Sequence, residues 1–387
     1  MQRPEHPPVP PRQPTKPLRL VVAGGGTGGH LFAGVAVAEV FMARHPANRV
    51  LFVSTGNRFE RRVLARCGFP LAPVAIAGIK GRGRRQQVSA ALKIPGALLQ
   101  SLRILRAFRP DLVLGVGSYA AGPVVLAARL LGCKIALHEQ NLLPGITNRL
   151  LARLADRFYV SFADTRRAAG RTPVRVTGNP VRSAIRELAS RPPAPVAPPD
   201  RPLTVLVVGG SQGAHSINQA VLAALESLPD PAGINWIHQT GAQDQQAVAR
   251  GYAGRGVSAR VQAFFEDIAA HYAAADLLVC RAGATTVAEI TAIGKAALFI
   301  PFPFAADNHQ QFNAQALVTA GAADMILERD LTGVLLARKL QFYRNRRDCL
   351  AAMAVRAREL GRADAAQAIV SDCCHLIGAH TAPHSKG

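Results

Sequence analysis

The 387-residue sequence is poor in aromatic residues, in acidic residues and in the paired cysteines that hold metals. Aromatic residues make up 5% of the chain and include one tryptophan, Trp236, which leaves few platforms for stacking nucleic-acid bases. The six cysteines form no C-x-x-C motif, so neither a zinc site nor a disulfide framework is indicated, and scattered thiols fit a reducing cytosol. No Asp-x-Asp motif occurs to hold a divalent cation, and we expect no metal and no cofactor.

Long hydrophobic runs are also missing. The nearest approach to a membrane span is residues 112–128, whose glycines and proline predict strand, loop and helix instead. The N-terminus has no apolar segment behind its charges, so we expect a disordered Pro-rich tail over residues 1–17 and not a signal peptide. The chain is expected to be soluble or peripheral.

The charge is strongly one-sided. Lys and Arg number 46 against 24 Asp and Glu, a formal net charge of +22. Such a balance indicates an anionic partner, with nucleic acid the commonest case and an acidic membrane or a phosphorylated substrate the alternatives. An apolar content of 49% excludes a disordered polyelectrolyte, and the length predicts two globular domains.

Short β-branched runs alternate with helical patterns along the chain, which predicts an α/β protein with parallel sheets. Strands are predicted at residues 18–23, 49–54, 111–115, 135–138, 203–208 and 276–280, and a helix over 31–44. The proline-rich segment 190–202 predicts a linker between two domains, 18–189 and 203–375, followed by a tail over 376–387. We expect the last helix of the second domain to return to the first.

Both predicted domains open in the same way, with a strand, a glycine loop and a helix. VVAGGGTGGH (21–30) aligns with LVVGGSQGAH (206–215), and such loops suit an anion at a helix N-terminus. No carboxylate closes the second strand before Glu60, which disfavours a nicotinamide dehydrogenase. His30 and Leu31 stand where a P-loop requires Lys and Ser or Thr, which excludes that ATPase motif. His30 is either a general base or a structural residue of the loop.

Further polar segments follow other predicted strands: 115–123, 138–148, 281–289 and 307–313, the last interpreted as a loop. The carboxyl ends of parallel strands are where open α/β sheets bind ligands. Glu289 could accept two bonds from a ribose diol or serve only to favour a helix dipole. The amides of Gln310 and Gln311 suit sugar hydroxyls.

Taken together, these segments resemble the MurG family of N-acetylglucosaminyltransferases of peptidoglycan synthesis. The motifs that carry the resemblance are GGTGGH (25–30), GSYAAGP (117–123), HEQN (138–141), GNPVR (178–182), GGSQG (209–213), RAGATTVAE (281–289) and HQQFNA (309–314). The family implies a glycosyltransferase-B fold, two Rossmann-like doubly wound domains facing across a cleft. It implies UDP-N-acetylglucosamine as donor, bound mainly by the C-terminal domain, and lipid I as acceptor for the N-terminal domain. Transfer to the muramoyl O4 would invert the anomeric centre and give lipid II.

The resemblance also implies roles for individual residues. His30 is the implied base. The implied donor contacts are Thr27, Gly28, Gly29, Asn141, Arg182, Ser211, Gln212, Phe265, Ala284, Thr285, Thr286, Val287, Ala288, Glu289, Gln310 and Gln311. The acceptor-side residues are Ser118, Tyr119, His138 and Glu139. Ser118 departs from the family pattern, which has glycine there, so a positive φ at this position would be strained.

Between Gly78 and Pro110 the chain carries eight basic residues and no acidic one, interleaved with apolar residues. This pattern is typical of a membrane surface, although part of it must form an ordinary core helix. We expect residues 79–94 to dock on anionic lipid, with Ile79, Lys80, Arg82, Arg84 and Arg85 facing the membrane. The chain would then be peripheral on the cytoplasmic face of the inner membrane, with cell-wall and division proteins as further partners.

Three alternatives stay open from the sequence. The first is a related UDP-sugar transferase that has the same fold, binds its donor in the same way and acts on another lipid acceptor. The second is a nicotinamide dehydrogenase, which the missing carboxylate disfavours. The third is a noncatalytic nucleic-acid binder, for which tight, salt-dependent binding would be diagnostic.

Overall fold

A computed structural model of the chain describes residues 16–26, 28–76, 93–165, 170–192, 201–210, 212–305 and 308–378. Most of the expected N-terminal tail, the proline-rich core of the linker at 193–200 and the end of the C-terminal tail lie outside these ranges.

The first half of the chain forms one sheet with helices on both faces. Its elements are β1 (Arg19–Ala23), α1 (Gly28–Ala43), β2 (Arg49–Ser54), α2 (Arg58–Arg66), β3 (Leu71–Pro73), α3 (Ile94–Phe108), β4 (Leu112–Gly115), α4 (Ala121–Leu130), β5 (Lys134–Glu139), α5 (Ile146–Leu151), a 3-10 turn (Ala152–Leu154), β6 (Arg157–Val160), β7 (Val174–Val176) and α6 (Ser183–Ala189). The strand order is β3-β2-β1-β4-β5-β6-β7, with every pairing parallel.

The second half repeats the plan. Its elements are β8 (Leu203–Val208), α7 (His215–Ser227), β9 (Ile234–Gln239), α8 (Gln245–Ala253), β10 (Ala259–Gln262), α9 (Ile268–Ala274), β11 (Leu277–Cys280), α10 (Ala284–Ile293), β12 (Ala296–Phe299), α11 (His309–Thr319), β13 (Asp324–Met325), α12 (Gly333–Asn345), α13 (Arg347–Leu360) and α14 (Ala365–Leu376). The strand order is β10-β9-β8-β11-β12-β13, again parallel throughout.

Burial explains why the strands form where they do. Val21, Val22 and Ala23 of β1 are 0% exposed, and all six residues of β8 are buried, because helices cover both faces of each sheet. Strand order reverses between β1 and β4 in one sheet and between β8 and β11 in the other, which places a ligand-binding crevice at each of these points. The predicted fold class is therefore confirmed.

The last helix leaves the second sheet and packs on the first domain. Ile369 and Cys373 of α14 belong to the same apolar cluster as residues of α1 and β1. Asp372 accepts hydrogen bonds from the Tyr159 hydroxyl at 2.9 Å and pairs with Arg157 Nε at 2.8 Å. This helix joins the two halves at a second place besides the linker.

No helix within the described ranges is long and apolar enough to cross a membrane.

Candidate active site

The described residues of the first glycine loop (24–29) lie against the second glycine loop (115–123), at the point where the strand order of the N-terminal sheet reverses. Gly24 has φ +113°, and a Cβ there would lie 2.1 Å from the carbonyl oxygen of Gly117, so only glycine lets the loops meet. Glu60 is fully buried below them and accepts hydrogen bonds from the Gly26 amide at 2.6 Å and the Thr55 hydroxyl at 2.9 Å. The first carboxylate after β2 thus supports the loop and is not available to a ribose.

The role of Glu60 was not predicted from the sequence, although Asn57 and Glu60 have the spacing of a helix capping box. Asn57 and Glu60 form a reciprocal capping box at the start of α2, in which each side chain accepts from the other's backbone amide. The capping box fixes the carboxylate and so fixes the loop above it.

His30 lies in the first turn of α1, with its ring against the second glycine loop. A Cβ at Gly117 would lie 2.5 Å from His30 Cδ2 and 2.8 Å from Nε2, so the imidazole occupies the space that a larger residue would fill. Burial lowers the pKa of His30 below its ordinary value, nearby Glu139 acts in the opposite direction, and His309 lowers it further. The imidazole is therefore neutral near pH 7 and able to accept a proton.

Ser118 has φ +70°, a left-handed conformation that serine rarely adopts. Its Oγ accepts a hydrogen bond from the Ala120 amide at 3.2 Å, which offsets part of the strain. Tyr119 beside it is 40% exposed. Both predicted acceptor-side residues of this loop thus lie at the carboxyl edge of β4.

His138 and Glu139 are each 1% exposed at the end of β5. His138 Nε2 donates to the Gly178 carbonyl at 3.2 Å and its Nδ1 accepts from Gln140 at 3.1 Å, while burial holds its pKa at about 4. Glu139 accepts from the Asn141 amide at 3.1 Å and from the Asn148 side chain at 2.9 Å. Both side chains position the 140–148 loop, and their direct contact with an acceptor stays a prediction.

The two domains meet through hydrogen bonds between their site loops. Asn313 of α11 is fully buried; its Oδ1 accepts from the Leu142 amide at 3.2 Å and its Nδ2 donates to Asn141 Oδ1 at 3.3 Å. Thr285 donates to the carbonyl of Gly29 at 3.1 Å. These contacts bring the starts of α10 and α11 to the first glycine loop. Asn313 lies within the HQQFNA motif, but the motif predicts no role for it, because only the tertiary structure pairs Asn313 with Asn141 and Leu142.

Arg182 and Glu289, both predicted donor contacts, form a buried pair. Arg182 Nε and Nη2 donate to Glu289 Oε1 at 2.7 and 2.6 Å, and the Tyr272 hydroxyl donates to Oε2 at 3.2 Å. The guanidinium also lies 4.8 Å from the ring centroid of Phe32. Burial pushes the pKa of Arg182 down, but Glu289 and Tyr272 push it up more strongly. The sequence predicted that each side chain contacts the sugar donor. In the structure the two side chains pair with each other.

Phe265 and the two glutamines occupy different surroundings. The Phe265 ring is 2% exposed and its backbone amide donates to Gln239 Oε1 at 2.9 Å. The backbone carbonyl of Phe265 is therefore the group that remains to contact a nucleobase. Gln310 and Gln311 lie in the first turn of α11 and not in the predicted loop, because the helix begins at His309. Gln310 accepts from the Phe302 amide at 3.0 Å, and Gln311 lines a 200 Å³ pocket.

The remaining predicted residues divide into two groups. Gly28 is the first residue of α1, and Gln212 is exposed in the glycine loop 209–213. The first turns of α10 contain Ala284, Thr286, Val287 and Ala288. Thr27, Ser211, Ile79, Lys80, Arg82, Arg84 and Arg85 lie outside the described residues. Among the residues described, no group of His, Cys, Asp and Glu could hold a metal ion.

A cleft of about 590 Å³ runs between the domains beside the Arg182–Glu289 pair. It is lined by α1 and α2 of the first domain and by the β10–α9 connection of the second, including Phe32, Glu39, Arg62, Arg66, Arg182, Phe264 and Asp267. Its volume is in the range of small-molecule sites, and its lining carries both aromatic rings and cations. The lining also carries Glu39, Glu266 and Asp267, and the cleft can hold a ring-containing small molecule between the two domains.

Comparison with known proteins gives consistent matches along the chain. The model of the glycosyltransferase family 28 N-terminal domain matches residues 20–160, and that of the family's C-terminal domain matches 204–369. A UDP-N-acetylglucosamine–N-acetylmuramyl-(pentapeptide) pyrophosphoryl-undecaprenol N-acetylglucosamine transferase from Syntrophus aciditrophicus is 49% identical over 361 residues, 93% of this chain and 99% of the relative. A transferase of the same name from Geobacter sp. strain M21 is 46% identical over 355 residues, 92% and 95% of the two chains.

Solved structures agree with the fold. The crystal structure of Acinetobacter baumannii MurG has a TM-score of 0.75 at 34% identity, covering 93% of this chain and all of that one. A UDP-GlcNAc 2-epimerase from Neisseria meningitidis has a TM-score of 0.63 at 14% identity, which shows a shared fold alone.

Proposed function

We infer that this chain, which belongs to the MurG members of glycosyltransferase family 28, transfers N-acetylglucosamine from UDP-N-acetylglucosamine to lipid I, undecaprenyl-pyrophosphoryl-N-acetylmuramoyl-pentapeptide, and so makes lipid II. The observation that carries the proposal is identity of 45–49% with transferases of this name, over 92–93% of this chain and 93–99% of each relative. The juxtaposed glycine loops and the neutral His30 that packs against Gly117 support it independently.

The donor is proposed to lie against the C-terminal domain. The first-turn amides of α10 and the loop before α7 would meet phosphate oxygens, where a helix dipole stabilises the negative charge of the leaving UDP. Gln310 and Gln311 would contact the sugar hydroxyls. Glu289 would hold the ribose, which requires the donor to share a carboxylate that already accepts from Arg182.

His30 is proposed as the general base. It would remove the proton from the muramoyl O4 hydroxyl as that oxygen attacks the anomeric carbon on the face opposite UDP. One displacement without a covalent intermediate inverts the anomeric centre, giving a β-linked disaccharide. Ser118 and Tyr119 would contact the acceptor beside His30, while His138 and Glu139 act from beneath the loop.

The N-terminal domain is proposed to contact the cytoplasmic face of the membrane. Leu99 of α3, Leu130 of α4, and Ile146 and Leu150 of α5 are 51–71% exposed, and we call these four residues the N-domain apolar face. Arg103, Arg129 and Arg149 are exposed on the same elements, and Arg153 is exposed in the 3-10 turn that follows α5. Apolar residues bordered by cations favour an anionic bilayer surface. The predicted segment 79–94, almost all outside the described residues, precedes α3 directly.

The test of the activity supplies UDP-N-acetylglucosamine and a short-chain lipid I and follows the product by mass spectrometry and NMR. A β-1,4-linked disaccharide supports the proposal, and an α-linked product or none contradicts it. The membrane part is tested by charge reversal at Arg82, Arg84 and Arg85, which should weaken binding to anionic vesicles. Arg250→Glu on α8 is the control, since this exposed cation lies on the other domain; equal losses in both would contradict membrane docking through 79–94.

A further inference from the structure

The C-terminal domain exposes three phenylalanine rings that the transferase chemistry does not use. Phe304 is 83% exposed, and Phe312 and Phe302 are 44% and 40% exposed. Phe302 and Phe304 lie in the β12–α11 connection with their rings 5.7 Å apart, edge to face. Phe312 lies in the first turns of α11. We call Phe304 and Phe312 the aromatic edge; several exposed rings on one connection and the helix that follows it are typical of an interaction surface.

The aromatic edge adjoins the first domain at a defined contact. Asn313, the chain neighbour of Phe312, accepts a hydrogen bond from the amide of Leu142 at 3.2 Å. Leu143, the next residue, is 40% exposed and leads directly into α5. Phe312 and Leu143 are therefore the chain neighbours of two residues that one interdomain hydrogen bond joins, which places both exposed apolar residues at the domain junction.

The charge around this junction indicates what covers it. Residues 140–155 contain Arg149 and Arg153 and no acidic residue, and both arginines are exposed. Residues 301–315 contain one acidic residue, Asp307, and no Lys or Arg, so the cations of this junction come from the first domain. A protein partner of ordinary composition would not require exposed arginines without acidic neighbours. An anionic bilayer attracts such cations and accepts aromatic rings at the depth of the lipid headgroups.

We propose that the aromatic edge extends the membrane-facing surface across the domain junction, so that Phe304 and Phe312 of the second domain enter the bilayer interface together with α5 of the first. This rests on the proposed membrane contact of the N-domain apolar face. Both domains then touch the membrane that carries the acceptor, and the cleft opens at the bilayer surface.

The test compares Phe304→Ser/Phe312→Ser with wild type in binding to vesicles of phosphatidylglycerol and phosphatidylcholine. Loss of two partly inserted rings should weaken the partition coefficient about tenfold. Phe342→Ser is the matched control, because Phe342 is 46% exposed on α12 of the same domain, and it should bind as wild type does. Turnover of a water-soluble acceptor analogue should be unchanged in all three proteins.

A fluorescence measurement locates the ring directly. The one tryptophan, Trp236, is 2% exposed, so Trp236→Phe provides a silent background for Phe304→Trp. Emission of the new indole should shift to the blue on vesicles and be quenched by lipids brominated in the upper acyl chain.

The outcomes separate the two proposals. If wild type does not bind vesicles, the membrane contact of the N-domain apolar face is wrong and this inference is wrong with it. If wild type binds but the double variant binds equally well and the indole emission does not move, only the role of the aromatic edge is overturned. If the double variant loses turnover of the soluble analogue while vesicle binding is unchanged, the rings contact substrate and the proposal is likewise overturned.

Discussion

The buried pair of Arg182 and Glu289 permits a quantitative test of how the site is held. The carboxylate of Glu289 is 2% exposed and accepts two hydrogen bonds from Arg182, at 2.7 and 2.6 Å. Glu289→Ala deletes the acceptor and leaves the guanidinium, whose side chain is 25% exposed, without its partner. The Tyr272 hydroxyl loses its acceptor as well.

The expected cost follows from that geometry. Removing one member of a buried ion pair costs about 3–5 kcal/mol of unfolding free energy, because a charge remains desolvated. Arg182→Met leaves the Glu289 carboxylate buried without its cationic partner, so a similar cost is expected. The double variant Arg182→Met/Glu289→Leu removes both charges, so its loss should fall short of the summed single losses by about 1–3 kcal/mol. Glu289→Gln, which keeps an acceptor, should cost less than Glu289→Ala.

Urea unfolding followed by circular dichroism measures this coupling in a double-mutant cycle. The exposed pair Arg255–Glu226 of the same domain is the control, and its coupling energy should be about 0.2–1 kcal/mol. A coupling energy at Arg182–Glu289 no larger than that of the control would refute the reasoning. Since Glu289 is also the proposed ribose contact, the donor KM should rise in Glu289→Gln.

The other predictions concern proton binding and the domain contact. Because burial lowers the pKa of His30, the acid limb of the kcat/KM profile should lie below about pH 6.5. His309 also lowers this pKa, so His309→Gln should move the acid limb to higher pH. An acid limb that does not move in this variant would contradict the assignment of His30 as the base. His138 has a pKa of about 4 when folded and 6.5 when unfolded, so the unfolded state binds more protons between these pH values. Stability therefore rises with pH across this range and is lost as the pH falls toward 4. His138→Asn should flatten that slope by up to about 1.4 kcal/mol per pH unit, and an unchanged slope in pH-dependent urea titrations would argue against a neutral buried imidazole. Asn313→Ala removes two interdomain hydrogen bonds and should lower kcat/KM about tenfold, with Gln315→Ala on the exposed side of the same helix as control; equal rates in the two variants would count against the contact.

The sequence was sufficient for the architecture. Predicted strands at 18–23, 49–54 and 203–208 agree with β1, β2 and β8 to within a residue, because a strand buried on both faces requires a continuous β-branched run. Glycine loops at strand ends were equally predictable. The start of α11 was not: the segment after Pro303 is polar, and the helix is fixed by tertiary contacts of Asn313.

Side-chain roles were harder to predict than positions. His138 and Glu139 stand at the end of a strand, as acceptor contacts would, yet both bond inward. His138 donates to the backbone carbonyl of Gly178, and Glu139 accepts from the Asn148 side chain. Arg182 and Glu289 stand 107 residues apart, and nothing in the spacing predicts their pairing. Polar residue types at strand ends therefore indicate where a site lies, whereas the partner of each group depends on the fold.

The most direct test of the central claim offers the purified enzyme UDP-N-acetylglucosamine with two acceptors in parallel: a short-chain lipid I, and a prenyl pyrophosphate carrying a different sugar. Mass spectrometry of the products reports which one receives the sugar. Disaccharide formed on lipid I, with little or none on the other acceptor, is the predicted result. Transfer to the second acceptor alone would contradict the account and indicate a related transferase with another substrate.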